Sequence, residues 1–202
     1  TLLFLKERTV QRQFPDLSPV LDDLLWAVVG GEATRLYMPE RATLDLDIAV
    51  RRGDRQEARR RLAEAGFAYQ SELSIGGSSW LTPDGSLVDV VELDEPWADA
   101  ALAGAQGNRD LQNLPVLPMR YLVLMKFQSG RVQDLADITR MLGQASNEAL
   151  GGVRQLWSQY LPSELDDLES LIALGQMEMG RSPSDQRTEG DNANSDSPRG
   201  RP

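Results

Sequence analysis

The chain has 202 residues, of which 41% are hydrophobic, 26% charged and 6% aromatic, enough for one domain of ordinary size with appendages. Cysteine and histidine are both absent, which excludes disulfides, thiolate nucleophiles, zinc fingers, imidazole bases and Ser/His/Asp triads. With 21 Lys+Arg against 31 Asp+Glu the formal charge is −10, so a polyanionic partner would need a local basic patch. No apolar run approaches the roughly 18–20 residues that cross a bilayer, and the first residues lack a charged-then-apolar leader. A soluble, cytoplasmic protein with no membrane partner is expected.

In chain order, Ser18-Pro19 signals the start of a helix through Leu21, Leu24 and Leu25. The apolar run Trp26 to Val29 then meets Gly30-Gly31, followed by a short helix through Ala33 and Leu36. Thr43 to Val50 alternates polar and apolar residues, as a half-buried strand does. Asp54 is placed to cap a helix through Ala58, Leu62 and Ala65 that stops at Gly66. Short strands are predicted at 67–71, 78–81 and 87–91, the last two joined by the turn signal Pro83-Asp84-Gly85. From Pro118 onward the pattern is helical, over 119–128, 132–142, 147–160 and 163–177. The residues from Arg181 to Pro202 hold no large apolar side chain and balance four arginines against four acids, a composition that predicts disorder. The expected fold class is therefore α/β (α+β): a small mixed sheet with flanking helices over 1–117, a helical segment over 118–179 and a tail over 180–202.

The sharpest chemical feature is Asp45-Leu46-Asp47 within the strand predicted from Thr43 to Val50. Strand periodicity puts both carboxylates on one face about 6.6 Å apart along the backbone, with Leu44, Leu46 and Ile48 on the other. Like charges so placed repel, which favours a bound cation, and magnesium is the hard ion that takes a few carboxylates and leaves room for phosphate oxygens. The plain alternative is two solvated aspartates on an exposed face. Asp89 interrupts the apolar run Leu87 to Val91, and a carboxylate there calls for a partner. Glu92 and Asp94 are reserve candidates, Glu92 having the opposite strand parity. Val28-Val29-Gly30-Gly31 is a strand ending in glycines that open a helix, where backbone N–H groups can approach phosphate. Lys126 is one of two lysines among 21 cations, a choice that suits a compact charge rather than a planar fork.

Val29-Gly30-Gly31-x-Ala33 with Arg41-x-Thr43-x-Asp45-x-Asp47 and a later Asp89 resembles the active-site signature of the polymerase-β-like nucleotidyltransferase superfamily. Together with Lys126-x-x-x-Gly130-Arg131-x-x-Asp134-Leu135-x-Asp137-Ile138, the pattern is similar to the abortive-infection-type nucleotidyltransferases, which include toxins of toxin–antitoxin systems. The resemblance implies a two-metal enzyme that transfers NMP from an NTP to an acceptor hydroxyl. Asp45, Asp47 and Asp89 would hold Mg2+, and Asp89 would also lower the pKa of the attacking hydroxyl. Gly30 and Gly31 would cradle the triphosphate, with Arg41 and Thr43 beside the phosphates or bracing the turn. Lys126 would neutralise phosphate charge, and Asp134 or Asp137 would orient that lysine or the acceptor. In the pattern's departures, glycine stands at position 31 where many members have serine, and Glu32 sits directly behind the turn.

The acceptor is read from Arg51, Arg52, Arg55, Arg59, Arg60 and Arg61, which with Asp54 and Glu57 give a local charge of +4. That strip suits an RNA backbone such as a tRNA end, or else is the solvated side of an amphipathic helix. Two other readings stand beside a toxin-like enzyme with a cognate antitoxin. One is an inactive family member acting as a protein-binding or regulatory module; the other is an antibiotic-modifying nucleotidyltransferase, whose cationic acceptor suits the acidic chain.

Overall fold

A computed structural model describes residues 14–38 and 45–180. Its sheet has five strands: β1 (Trp26–Val28), β2 (Leu46–Arg51), β3 (Ala68–Glu72), β4 (Gly77–Leu81) and β5 (Leu87–Leu93). They lie in the order β1-β2-β5-β4-β3, antiparallel except for the central β2–β5 pair. The helices are α1 (Gly30–Thr34), α2 (Arg55–Glu64), α3 (Ala98–Ala105), α4 (Met119–Ser129), α5 (Val132–Gln144), α6 (Asn147–Tyr160) and α7 (Leu165–Glu178). The mixed sheet with flanking helices is the α/β class expected, and no described helix is long and apolar enough to cross a membrane.

The alternation in β2 does what the sequence requires of it. Leu46, Ile48 and Val50 are fully buried, and on β5 Val88 and Val90 meet them in register. The parallel β2–β5 ladder needs a crossover, which α2, β3 and β4 supply. One apolar cluster runs from Phe14 through the sheet to Leu168 and Ile172 of α7.

Two expectations fail locally. Residues 17–24 form successive turns, not a helix. Asp16 accepts the Ser18 amide at 2.9 Å, so that the chain enters a side-chain-capped turn, and Asp23 takes a left-handed φ of 64° that no helix interior accommodates. Asp54 precedes α2 within a short 3-10 turn, but its side chain makes no capping bond. The structure also adds α3, an alanine-rich helix whose Ala98, Ala101, Leu102 and Ala105 are buried and whose small side chains give little periodic contrast. The strand expected from Thr43 begins at Leu46; Thr43 and Leu44 lie outside the described residues, as does the tail from Arg181.

Helices α4 and α5 form a hairpin across Gly130, whose φ of 66° needs a glycine at the end of α4. Helix α7 packs on α5 backbone to backbone, because Gly175 lies against the Thr139 carbonyl and Gly143. Gly175→Ala separates two opposing effects. Helix propensity alone favours the alanine by about 1 kcal/mol, whereas the added Cβ would overlap the Thr139 carbonyl and overpacking costs about 3 kcal/mol. A net loss of about 2 kcal/mol in urea unfolding is the expected outcome; a gain would show that the two helices separate freely.

Candidate active site

The β2–β5 register sets Asp47 directly beside Asp89. Paired residues share a face on strands about 4.7–4.9 Å apart, so two carboxylates are held side by side by main-chain hydrogen bonds. Both are half-buried, and the Asp89 Oδ1 atom is inaccessible and without a hydrogen-bond partner. Burial pushes the Asp47 carboxyl up to about 6, and the neighbouring Asp89 and Asp45 charges push the same way, while the Gly31 amide and Lys126 draw it down.

The glycine turn is built around this carboxylate. Gly30 follows β1 with a φ of 62°, and a Cβ there would overlap the Asp47 carboxyl group. Gly30 is therefore required twice, for its backbone conformation and for the space it leaves. The Gly31 amide hydrogen-bonds to Asp47, and Val29 N–H donates to the Asp47 carbonyl at 2.8 Å. Glu32, directly after these glycines, is 7% exposed and accepts from Arg35 through both carboxylate oxygens, at 2.8 and 2.9 Å. Burial, opposed by Arg35, raises its pKa. Its charge is thus engaged by Arg35, three residues further along the chain.

Lys126 enters from α4. It is 5% exposed, and its Nζ donates to Asp134 Oδ1 at 2.7 Å and Asp137 Oδ2 at 2.9 Å. The two acids, three apart on α5, face α4 because the Gly130 turn folds the hairpin back. Ser129 and Arg131 complete the cage, donating to Asp134 Oδ2 at 2.5 and 2.6 Å. Burial opposes ionisation of Asp134, but hydrogen bonds from Lys126 and Ser129 together with the Lys126 charge hold its carboxyl below the usual range. Gln133 reaches Asp137 at 3.4 Å. The sequence reading found Lys126, Asp134 and Asp137 but not Ser129 or Gln133, whose neutral side chains gave no signal beyond their proximity in the chain.

The expected trio of metal carboxylates is only partly assembled. Among the described residues no group of three acidic side chains is arranged to hold a metal ion. Asp45 precedes the first laddered residue of β2 and is exposed. Asp47 and Asp89 do suit a hard cation, since they pair an ionisable carboxylate with an orphaned oxygen. Arg41 and Thr43 lie outside the described residues. Glu92 projects from the opposite face and pairs with Arg59 at 2.7 Å, and Asp94 pairs with Arg52 at 2.7 Å.

The arginine strip is largely neutralised. Arg51 pairs with Asp99, Arg59 with Glu72 and Glu92, Arg60 with Glu57 and Glu64, and Arg61 with Glu57, all within 2.6–2.8 Å. Register puts Glu72 and Glu92 on the sheet face opposite Asp89, so Arg59 is drawn to that side. The local charge of +4 counted along the sequence is balanced by carboxylates that other elements contribute.

No protein-family model matches the chain, and no curated protein matches it. Among solved structures it aligns with that of the antibiotic-resistance factor ANT(2'')-Ia in solution, at 14% identity and TM-score 0.45 over 89% of this chain and 93% of that one. The crystal structure of ANT(2'')-Ia in complex with adenylyl-2''-tobramycin aligns at 16% identity and TM-score 0.43, over 88% of this chain and 98% of that one. A CCA-adding enzyme complexed with CTP aligns at 13% identity and TM-score 0.36, over 87% of this chain and 54% of that one. With every score below 0.5, the functional reading rests on the site itself.

Two measurements test this geometry. Because its folded pKa is raised, Asp47 takes up a proton more readily in the folded chain than in the unfolded one. Its contribution to stability is thus full below about pH 4 and is lost as pH rises through about 6. In metal-free buffer, Asp47→Asn is expected to gain about 1–3 kcal/mol at pH 8 and to flatten that slope, as read by denaturant unfolding across pH; an unchanged slope would place the titration elsewhere. Lys126→Met strands two buried carboxylates and is expected to cost about 3–5 kcal/mol at pH 7. Lys126→Arg should fail to restore it, since a planar fork does not fit the place of a compact ammonium.

Proposed function

We propose that the protein is a magnesium-dependent nucleotidyltransferase that moves NMP from an NTP to an acceptor hydroxyl. The observation that carries this reading is the Asp47–Asp89 pair: two like charges fixed in register, one with an orphaned oxygen, beneath a glycine turn that leaves room for nothing larger than a hydrogen. A structural role would favour a hydrogen-bonded neutral pair there; a cation site explains the cost.

Asp47 and Asp89 would hold magnesium, with Asp45 joining from the start of β2, and the bound ion would supply charge neutralisation at the phosphates. The Gly30–Gly31 turn, whose Gly31 amide now donates to Asp47, would receive the triphosphate. Lys126, held between Asp134 and Asp137 by hydrogen bonds, supplies a positive charge near Asp47. Asp134 and Asp137 act as positioning residues, and Arg41 and Thr43 would brace the phosphates. In the reaction the acceptor oxygen bonds to the α-phosphorus, the bond to the bridging oxygen of the β-phosphate breaks, and pyrophosphate leaves. The hydroxyl proton passes to the nearby carboxylate.

The pairing of the arginine strip favours a small acceptor over a nucleic-acid backbone, which needs unpaired cations to displace counterions. The toxin-like reading, with an antitoxin partner, draws its support from the Lys126 to Ile138 sequence pattern.

Calorimetric titration of the purified chain with each of the four NTPs, with and without magnesium, tests the proposal. Magnesium-dependent binding of at least one NTP, lost in Asp47→Asn, is the expected result. Absence of heat with every NTP would sink it and favour a protein-binding module.

A further inference from the structure

The row of side chains that begins with the carboxylates continues beyond them. Register sets Asp47 beside Asp89, Asp89 beside Ser79 on β4, and Ser79 beside Ser71 on β3. Directly paired residues project from the same face. Four oxygen-bearing side chains therefore stand in line across four strands, about 14 Å from first to last at the usual strand spacing.

Ser79 stands out in this row. The residue is 6% exposed, and its hydroxyl oxygen is not among the inaccessible, unpartnered side-chain atoms of the described residues, so it stays open to solvent. Its neighbour Ser78, on the other face, accepts the Trp80 indole N–H at 2.8 Å. The group beside Ser79 in register is Asp89, whose Oδ1 is inaccessible and without a hydrogen-bond partner. Ser71, next along, is exposed, so the row opens toward the outer edge of the sheet. The charges of the surroundings are also defined. Arg59 is drawn to the opposite face by Glu72 and Glu92, and register puts Asp47 and Asp89 on the face that Ser79 shares.

We propose that Ser79, with Ser71 outside it, binds the acceptor by hydrogen bonds to a polyhydroxylated, neutral or cationic small molecule, and so sets one acceptor hydroxyl against Asp89. The inference rests on the nucleotidyltransferase reading. The step it serves is balanced: the aligned hydroxyl forms the new O–P bond, gives its proton to the Asp89 carboxylate, and pyrophosphate departs with the electrons of the broken P–O bond. Ser79 determines which acceptor is held and leaves nucleotide binding to the glycine turn and the carboxylates.

The test uses the full chain and the variants Ser79→Ala, Ser79→Thr and Arg59→Ala, each first checked by thermal unfolding. Calorimetry measures each NTP with magnesium, and separately tobramycin, a cationic polyol, with no nucleotide present. Ser79→Ala is expected to bind the NTP as the parent does and to bind tobramycin about tenfold more weakly, the worth of one hydrogen bond. Ser79→Thr should recover most of that loss, and Arg59→Ala should match the parent. Tobramycin affinity that Ser79→Ala leaves unchanged, absence of tobramycin binding to the parent, or binding of a tRNA transcript in its place would each overturn the inference while leaving the nucleotide site intact. Failure of every NTP to bind the parent would instead overturn the reading on which it rests.

Discussion

Everything in the candidate site follows from the parallel ladder between β2 and β5. Hydrogen bonds of the main chain, made without reference to side-chain charge, bring Asp47 and Asp89 together. Neither can turn away without shifting register, and a shift of one residue would send Leu46 and Ile48 out of the core. The hydrophobic pattern that stabilises the sheet therefore also enforces the electrostatic conflict. The apolar face holds the strands in place, and the opposite face bears the strain that a cation would relieve.

The neighbouring elements are shaped around that conflict. Gly30 gives way to the Asp47 carboxyl, Glu32 is paired with Arg35, and α4 brings in a lysine whose charge is stabilised by two acids from α5. Packing in turn fixes α5, because Gly143 and Gly175 let α7 approach to backbone contact. A side chain between these helices would displace the acids that hold Lys126.

Much of this was legible before the fold was known, for identifiable reasons. Period-two alternation marked β2 and put Asp45 and Asp47 on one face, and the scarcity of lysine singled out Lys126. The strand pairing was not legible: nothing local says that Asp89 lies beside Asp47 rather than two residues away, since that depends on how β5 returns across the crossover. The pairing of the arginine strip was hidden for the same reason, because its compensating acids, Glu72, Glu92, Asp94 and Asp99, come from other elements. The helix expected at Ser18 yielded to turns because Asp16 and Asp23 offered the backbone stronger local alternatives. Ser79 went unnoticed because a serine in a strand carries no pattern until its neighbours across the sheet are known.

The lysine cage also has a chemical consequence. An ammonium group that donates to two carboxylates and is shielded from water offers no lone pair to an electrophile. Lys126 is the sole lysine among the described residues, so amine-directed acylating reagents can reach it only when the α4–α5 hairpin parts. The rate of acylation at that position would then clock the opening of the hairpin, giving this fold a built-in chemical stopwatch for local unfolding.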